Sequence, residues 1–259
     1  MKTHQFYTHN QLRNFTYILQ LADHQAIVID PWDADAVGQQ LAQLNLKLQA
    51  IINTHEHWDH TQGNQALVDR YACEVWAHKK GEGKIPAMSR SLVHGEIIEL
   101  DQQSSIKIMD TPGHTLAHLC FLVLENHKPT AVFTGDTLFN AGVGNCKGGG
   151  DAETLFATIE TQFQTLDDDI RVYPGHDYLQ NNLQFTLKFE PSNLTAQKWL
   201  SKVTHADYRP GDIQTTIGLE RQFNSFFRLD NKEIIANLNP EIGDRKAVFI
   251  ALRKQRDSW

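Results

Sequence analysis

The segment Thr54–His60, which reads THEHWDH, constrains this chain more than any other feature. It places three imidazoles and the carboxylate of Asp59 within six residues, directly after the apolar run Ala50–Ile52. A strand that ends in such a cluster delivers several metal-ligating groups to one point at a sheet edge. Imidazole and carboxylate donors suit zinc, iron or manganese, and the lack of thiolates favours hydrolytic or redox chemistry over a structural zinc. The motif therefore predicts a metal site at the end of a buried strand.

Three further strands end in residues of the same chemical type. His114 follows a strand and a Thr-Pro-Gly turn, Asp136 follows an apolar strand that ends at Gly135, and His176 follows a strand and a Pro-Gly turn. Together the four strand ends supply seven donors: His55, His57, Asp59, His60, His114, Asp136 and His176. Seven ligands are too many for one tetrahedral ion and suit two ions that share a bridging carboxylate.

Composition limits the class of protein. At 259 residues the chain is long enough for one large α/β domain, or for one domain with a smaller appendix. A formal net charge of −7 argues against a general nucleic-acid binder. The three cysteines are few, odd in number and far apart, which indicates a reducing cytoplasm. There is no secretory apolar region and no apolar run of ~20 residues, so we expect a soluble cytoplasmic protein with no membrane or nucleic-acid partner.

The first two-thirds of the chain alternates short apolar strands with helices, a pattern typical of sheets covered by helices. The predicted strands are Phe15–Leu19, Gln25–Ile29, Leu48–Asn53, Glu74–Ala77, Ile106–Met109, Leu119–Leu124, Ala131–Thr134 and Ile170–Tyr173. The predicted helices are Asp35–Leu46, Asn64–Tyr71 and Ala152–Leu166. After His176 the pattern becomes helical, with few strand signals. We therefore predict a domain boundary near residue 175, with one domain over 1–175 and a smaller one over 176–259.

Read together, these motifs resemble the metallo-β-lactamase superfamily, whose signature is Thr-His-x-His-x-Asp-His followed by isolated His, Asp and His. The segments Thr54–His60, Asp110–Thr115, Phe133–Phe139 and Gly175–Tyr178, with the helical extension, most resemble glyoxalase II, the hydroxyacylglutathione hydrolases. The resemblance implies an α/β fold: a four-layer αββα sandwich over 1–175 and a smaller C-terminal α-helical domain over 176–259 that binds substrate.

The resemblance also implies a ligand set. One ion would be held by His55, His57 and His114, the other by Asp59, His60 and His176, with Asp136 bridging them. The two divalent ions are expected to be zinc, with iron or manganese as alternatives. A hydroxide formed between them would attack a thioester carbonyl, with Asp59 as both ligand and hydrogen-bond partner of that hydroxide. A thiolate leaves readily, so no catalytic serine or cysteine is expected.

Substrate-binding residues follow from the same resemblance. Arg253 matches the arginine of an Arg-x-x-Lys pair that holds the glycine carboxylate of glutathione, and Arg256 replaces the lysine. Tyr178 matches a tyrosine that lines the thiol site. Asn145 and Lys147 depart from the family, which carries a basic residue and an aromatic residue at those positions. As an alternative, the two arginines are only a charged helix end.

The implied reaction converts S-(2-hydroxyacyl)glutathione, such as S-D-lactoylglutathione, and water into a 2-hydroxy acid (D-lactate) and glutathione. This reaction is a step of methylglyoxal detoxification. We expect the protein to act as a monomer. The alternatives are a mononuclear iron persulfide dioxygenase, a hydrolase of another thioester, a nuclease of this fold and a non-catalytic scaffold. The remaining histidines His78, His94, His118 and His205 are interpreted as structural, and Cys146 as a passive loop residue.

Overall fold

The computed structural model describes residues 1–238 and 243–259. Within them, one six-stranded sheet has the spatial order β1-β2-β3-β4-β5-β6. Neighbours β1, β2 and β3 are antiparallel, whereas β3, β4, β5 and β6 are parallel. The strands of this first sheet are β1 (Lys2–Tyr7), β2 (Phe15–Gln20), β3 (Gln25–Ile29), β4 (Lys47–Ile52), β5 (Glu74–His78) and β6 (Arg90–Leu92).

A second sheet has the order β14-β13-β10-β9-β8-β7. Its strands are β7 (Ile97–Glu99), β8 (Ser104–Asp110), β9 (Leu119–Glu125), β10 (Lys128–Gly135), β13 (Arg171–Pro174) and β14 (Thr215–Thr216). A short hairpin of β11 (Leu138–Phe139) and β12 (Gly142–Val143) lies beside it. Because β9 is antiparallel to both β8 and β10, and β10 is parallel to β13, the C-terminal ends of β8, β10 and β13 share one edge.

The helices cover the outer faces of the sheets and form the C-terminal part of the chain. The first sheet carries α1 (Ala34–Gln43) and α3 (Asn64–Tyr71), and the short α2 (Trp58–Thr61) follows the histidine motif. The second sheet carries α4 (Ala152–Thr158). The remaining helices are α5 (Leu179–Phe189), α6 (Leu194–Val203), α7 (Ile217–Phe223), α8 (Lys232–Leu238) and α9 (Arg245–Asp257).

Alternating strand residues fill separate cores, as the period of two in a strand requires. Ile27, Ile52, Phe121 and Phe133 belong to the core between the two sheets. Residues of the opposite parity in the first sheet pack with α1 and α3, and those of the second sheet pack with α4 and α9. The four-layer αββα sandwich with a helical C-terminal part is confirmed.

Each predicted strand and helix is present, with differences at the ends. The first helix ends at Gln43, because Asn45 adopts a left-handed backbone (φ 52°) and Leu46 then bonds back to Leu41. The helix predicted over Ala152–Leu166 is α-helical only to Thr158 and continues as a π-helical turn over Ile159–Phe163.

Six strands were missed, namely β1, β6, β7, β11, β12 and β14, and five of these are only two or three residues long. The strand β1 carries no clear alternation, and β14 is only two residues long. Because β14 pairs with β13, the C-terminal part supplies the edge strand of the second sheet as well as helices. The boundary near residue 175 stays a prediction. No helix in the described ranges is long and apolar enough to span a membrane.

Candidate metal centre and substrate cavity

Donor side chains converge where the two sheets meet. The histidine motif follows β4 of the first sheet, and the chain after β8, β10 and β13 reaches the same edge from the second sheet. The backbone joins the sheets there, since the Leu119 amide donates to the carbonyl of Thr54 at 2.7 Å. All seven predicted donors come together in three overlapping groups: His55, His57 and His114; His55, His60 and Asp136; and Asp59, His60 and His176.

The first triad brings three nitrogen atoms face to face. His57 Nδ1 lies 3.1 Å from His55 Nε2 and 3.0 Å from His114 Nε2. The other nitrogen of each ring is engaged by the protein: His57 Nε2–H donates to the Gly148 carbonyl and His114 Nδ1–H to the Asn145 carbonyl. His55 Nδ1–H donates to Thr54 Oγ1 at 2.9 Å. Each ring therefore turns a lone pair inward, which is the tautomer that a metal ligand needs.

The second triad follows the same rule. His60 Nε2 and His176 Nε2 are 3.2 Å apart, and Asp59 Oδ2 lies 3.4 and 3.5 Å from them. His60 Nδ1–H donates to Asp30 Oδ2, and His176 Nδ1–H donates to the Leu12 carbonyl. Here too the inward nitrogens carry lone pairs. Facing lone pairs repel unless a proton or a metal ion lies between them, so both triads fit a cation.

Asp136 lies between the triads and presents one oxygen to each. Its Oδ2 is 3.4 Å from His114 Nε2, while its Oδ1 is 3.4 Å from His60 Nε2 and 3.3 Å from His176 Nε2. Asp136 Oδ1 is buried and accepts no hydrogen bond. A buried, unpartnered carboxylate oxygen is costly unless a cation meets it. The arrangement fits a carboxylate that bridges two ions.

Electrostatics at the centre also favour cations. Burial opposes ionisation of Asp136, but His176, His60 and His114 outweigh it and hold its pKa well below the usual range. Burial likewise opposes ionisation of Asp59, and hydrogen bonds from His60 and Asn14 lower its pKa overall. Burial disfavours a charge on His60, yet Asp136 and Asp30 raise its pKa well above the usual value. The site therefore concentrates negative charge in a buried region.

A cavity of about 300 Å³ adjoins the centre. All five residues predicted to bind substrate line it, together with four others; the set is Phe139, Val143, Asn145, Lys147, Tyr178, Arg253, Arg256, Asp257 and Trp259. Tyr178 joins cavity and centre, because its ring stacks on that of His176 at 4.9 Å with an interplanar angle of 5°. Burial raises the pKa of Tyr178, so its hydroxyl stays protonated.

Comparison with known proteins agrees with this geometry. Residues 10–176 match the profile described as "Metallo-beta-lactamase superfamily", and residues 177–259 match "Hydroxyacylglutathione hydrolase C-terminus". Two curated relatives named "Hydroxyacylglutathione hydrolase", from Nitrosococcus oceani and a Polaromonas species, are 40% and 39% identical over the full length of both chains. The chain belongs to the hydroxyacylglutathione hydrolase family.

The same fold occurs in a solved structure. The crystal structure of ETHE1 from Myxococcus xanthus superposes with a TM-score of 0.68 at 25% identity, covering 100% of this chain and 99% of that one. The family resemblance inferred from the sequence motifs is confirmed over the whole chain by the two profiles and the full-length relatives.

The two arginines of this family member occupy different settings. Arg253 is 4% exposed, and its Nη1 donates to the carbonyls of Val143 and Gly144 at 2.9 and 3.0 Å. Its Nε and Nη2 contact the carboxylate of Asp257 at 3.1 and 2.9 Å. Arg256 is less enclosed and donates to Asn182 Oδ1 at 3.1 Å. Most donors of Arg253 are thus already engaged, whereas Arg256 keeps donors free for a ligand.

The two loop residues that depart from the family pattern also reach the cavity. Lys147 Nζ donates to the carbonyl of Asp257 at 3.0 Å, and its backbone amide donates to Asn145 Oδ1. Asn145 is tied to the metal centre as well, because its carbonyl accepts from His114. A basic group is therefore present on this side of the cavity, two positions after the expected one.

Sequence reasoning missed two supporting residues. Asp30 is buried, and its oxygens accept from the Thr54 amide, Thr54 Oγ1 and His60 Nδ1–H at 2.6–2.9 Å. Asn14 is also buried, and its Nδ2 donates to Asp59 Oδ2 at 2.9 Å. The strand end Asp30-Pro31 carried the same signal as the other strand ends, an acidic residue directly after an apolar strand. Asn14 carried none.

We expect Asp30→Asn to weaken metal binding at the second triad by about 10- to 100-fold, the usual cost of losing a partner that orients a ligand. Every group that faces Asp30 is a donor, so an amide nitrogen there leaves a donor unmatched. Equilibrium dialysis against a chelator measures the affinity. Asp33→Asn, which keeps the N-cap of α1, is the matched control and should bind metal normally. Equal affinity in the two variants would contradict the role of Asp30.

The other histidines and Cys146 behave as expected. His118 Nε2 accepts from the Asp136 amide at 3.1 Å, and its Nδ1 lies 3.0 and 3.1 Å from the Thr111 and Thr137 hydroxyls, so it orients the metal-centre backbone. His78 pairs with Asp110, His94 accepts from the Asp110 amide, and His205 is exposed beside Asp207. Burial raises the pKa of Cys146 to about 11, which disfavours a thiolate at neutral pH.

Proposed function

We propose that this protein hydrolyses S-(2-hydroxyacyl)glutathione, with S-D-lactoylglutathione as substrate and D-lactate and glutathione as products. One observation carries the proposal: the two triads that share Asp136 adjoin a cavity lined by basic residues of the C-terminal part. Hydrolytic centre and anion-binding cavity are joined through Tyr178 and Asn145. The family relationship assigns the same reaction class.

The proposed ligands are His55, His57 and His114 for one ion, Asp59, His60 and His176 for the other, and Asp136 for both. Zinc is the proposed metal, with iron or manganese as alternatives, because the donors are imidazoles and carboxylates without thiolates. When bound, two divalent ions supply a water of lowered pKa as nucleophile and polarise the thioester carbonyl.

The chain's own residues position the reacting groups. Asn14 holds Asp59 Oδ2, so the carboxylate of Asp59 is fixed in orientation beside the site of attack. No cysteine lies among the convergent donors of the described residues. Neither a cysteine nor a serine nucleophile is required, since the glutathione thiolate (parent pKa ~8.5) leaves without a general acid. Burial keeps the Tyr178 hydroxyl protonated and available to donate to the thiol half of the substrate.

Arg256 and Lys147 are proposed to bind the carboxylate of the glutathione glycine. A guanidinium meets a carboxylate with two parallel hydrogen bonds, and the cavity gives it a partly buried setting. Arg253 and Asn145 shape the same wall, and Arg253 has one Nη2–H left for the substrate. The two arginines are therefore more than a charged helix end in this proposal.

Arg256→Ala should raise KM for S-D-lactoylglutathione about 10- to 100-fold with little change in kcat, because a charge-assisted hydrogen bond remote from the reacting carbonyl is lost. Steady-state kinetics of Arg256→Ala, of a control variant and of the parent measure the change in KM. Lys254→Ala removes the same charge from an exposed position of α9 and should behave like the parent. A thioester of N-acetylcysteamine, which lacks the carboxylate, should not distinguish Arg256→Ala from the parent; equal losses with both substrates would contradict carboxylate binding.

The alternatives are separated by one assay. Purified protein is offered S-D-lactoylglutathione, other acyl thioesters and glutathione persulfide, while thiol release and oxygen uptake are followed. Thiol release from the hydroxyacyl substrate without oxygen uptake supports the proposal. Oxygen uptake with the persulfide would favour the mononuclear iron dioxygenase, and preference for another thioester would change the substrate.

We further propose that the protein acts as a monomer in the cytoplasm. The cysteines of the described residues, Cys73, Cys120 and Cys146, are unpaired, as in reducing compartments where glutathione is abundant. Removal of lactoylglutathione there is a step of methylglyoxal detoxification. The acidic net charge also disfavours a nuclease.

A further inference from the structure

Residues 140–148, here called the connecting segment, lie between the C-terminal helices and the first triad. The segment contains the departures from the family pattern, Asn145 and Lys147. It is tightly packed, because a side chain on Gly144 would overlap the carbonyl oxygen of Asp136. Its backbone is hydrogen-bonded to side chains on both sides, so its position is coupled to the C-terminal helices and to the first triad.

On one side, four helical-domain side chains hold consecutive backbone groups. Asn182 of α5 donates to the Asn140 carbonyl at 2.9 Å, and Asn224 donates to the Gly142 carbonyl at 3.2 Å. Arg253 of α9 donates to the next two carbonyls, those of Val143 and Gly144. Glu220 of α7 accepts from the Ala141 amide at 2.9 Å.

On the other side, the segment holds two rings of the first triad. The Asn145 carbonyl accepts from His114 Nδ1–H, and the Gly148 carbonyl accepts from His57 Nε2–H at 3.1 Å. The rings of the second triad are held elsewhere, by Asp30 and by the Leu12 carbonyl. A displacement of the segment therefore acts directly on two rings of the first triad, whereas the rings of the second triad are held by residues outside the segment.

Glu220 is the common anchor of the helical side. It is fully buried, and its Oε2 accepts from the Ala141 amide and from Asn224 Nδ2, both at 2.9 Å. Its Oε1 accepts from Thr215 Oγ1 at 2.9 Å, and Thr215 in turn accepts from Asn140 Nδ2. Ala141 has a left-handed backbone (φ 61°), which is unfavourable for alanine and needs such support.

We propose that Glu220 is a positioning residue for the first metal site, which it controls through the connecting segment without contacting metal or substrate. The inference rests on the proposed assignment of His57 and His114 as ligands. Glu220→Gln tests it, because every group facing the carboxylate is a donor and the amide nitrogen of glutamine leaves one of them unmatched. The side chain is otherwise of the same size.

The experiment titrates metal-free protein with zinc against a chromophoric chelator at pH 8, above the value of about 7 to which burial raises the pKa of Glu220. The parent should bind two equivalents. Glu220→Gln should bind one of them about tenfold more weakly and the other unchanged. In the Co(II)-loaded protein, the shifted ring N–H signals of His57 and His114 should move, while those of His60 and His176 should stay.

Glu190→Gln is the matched control. Glu190 is a buried glutamate of the same helical region, bonded to Arg228, Asn193 and Asn231 and not to the connecting segment. The Glu190→Gln variant should have a lower melting temperature than the parent and the same affinity for both metal ions. Asn224→Ala removes the amide that donates to both Glu220 and the Gly142 carbonyl, so it should weaken the first metal site as Glu220→Gln does. If Glu220→Gln does not fold, Asn224→Ala tests the inference in its place.

The inference would be overturned if folded Glu220→Gln or Asn224→Ala bound both ions with the parent affinity. It would also be overturned if both metal sites were weakened equally. A parent that binds no second equivalent would instead overturn the proposed two-metal function, and with it the premise of this test.

Discussion

Asp136→Ala is expected to lower kcat/KM for S-D-lactoylglutathione about a thousandfold or more, and to leave neither triad with its full metal content. Each oxygen of Asp136 faces a different triad, so a single truncation removes a ligand from both. A thousandfold loss corresponds to about 4 kcal/mol of transition-state stabilisation, within the range for a metal that polarises a carbonyl.

Metal content by atomic emission and thiol release in the same samples measure this effect. Asp33→Ala removes the N-cap of α1 and should cost about 1 kcal/mol of stability with both ions retained, which controls for general destabilisation. Full occupancy of two ions in Asp136→Ala would refute the bridging assignment.

Asp59→Asn should have the second-largest effect, a loss of about 100-fold in kcat/KM, but with one ion retained. Asp59 contacts only the second triad, where its Oδ2 also accepts from Asn14. In Asp59→Asn the amide nitrogen either faces the donor of Asn14 or points toward Nε2 of His60 and His176. The amide also carries no negative charge to hold a cation. The first triad keeps all three imidazoles.

The comparison between the two variants is sharper than either alone. Reduced occupancy of both triads in Asp136→Ala, and of the second triad alone in Asp59→Asn, follows only if the carboxylates play the bridging and terminal roles assigned. Identical stoichiometry in the two variants would contradict the division of ligands.

The convergence of the seven candidate donors was predictable because each follows an apolar strand, and a strand of a layered sheet ends at an edge. Sequence alone did not show why the ends meet. That depends on β8, β10 and β13 being parallel to one another, with β9 antiparallel between two of them. Pairings of this kind join residues far apart in sequence, for which local periodicity carries no signal.

The supporting contacts are the least predictable part. Asn14 and Glu220 act through hydrogen bonds to residues 45 and 79 positions away, and neither lies in a motif. Arg253 was recognised by resemblance and does line the cavity, but its engagement with Val143, Gly144 and Asp257 is visible only in the structure. The short strand β14 was missed because two residues cannot display an alternation.

The most direct test of the two-metal hydrolase is the activity of the purified protein as a function of metal bound per chain. Metal-free protein is titrated with zinc, and hydrolysis of S-D-lactoylglutathione is followed by thiol release under anaerobic conditions. Activity should rise to its maximum only as the second equivalent binds and should need no oxygen. Maximal activity at one equivalent, or dependence on iron and oxygen, would contradict the account.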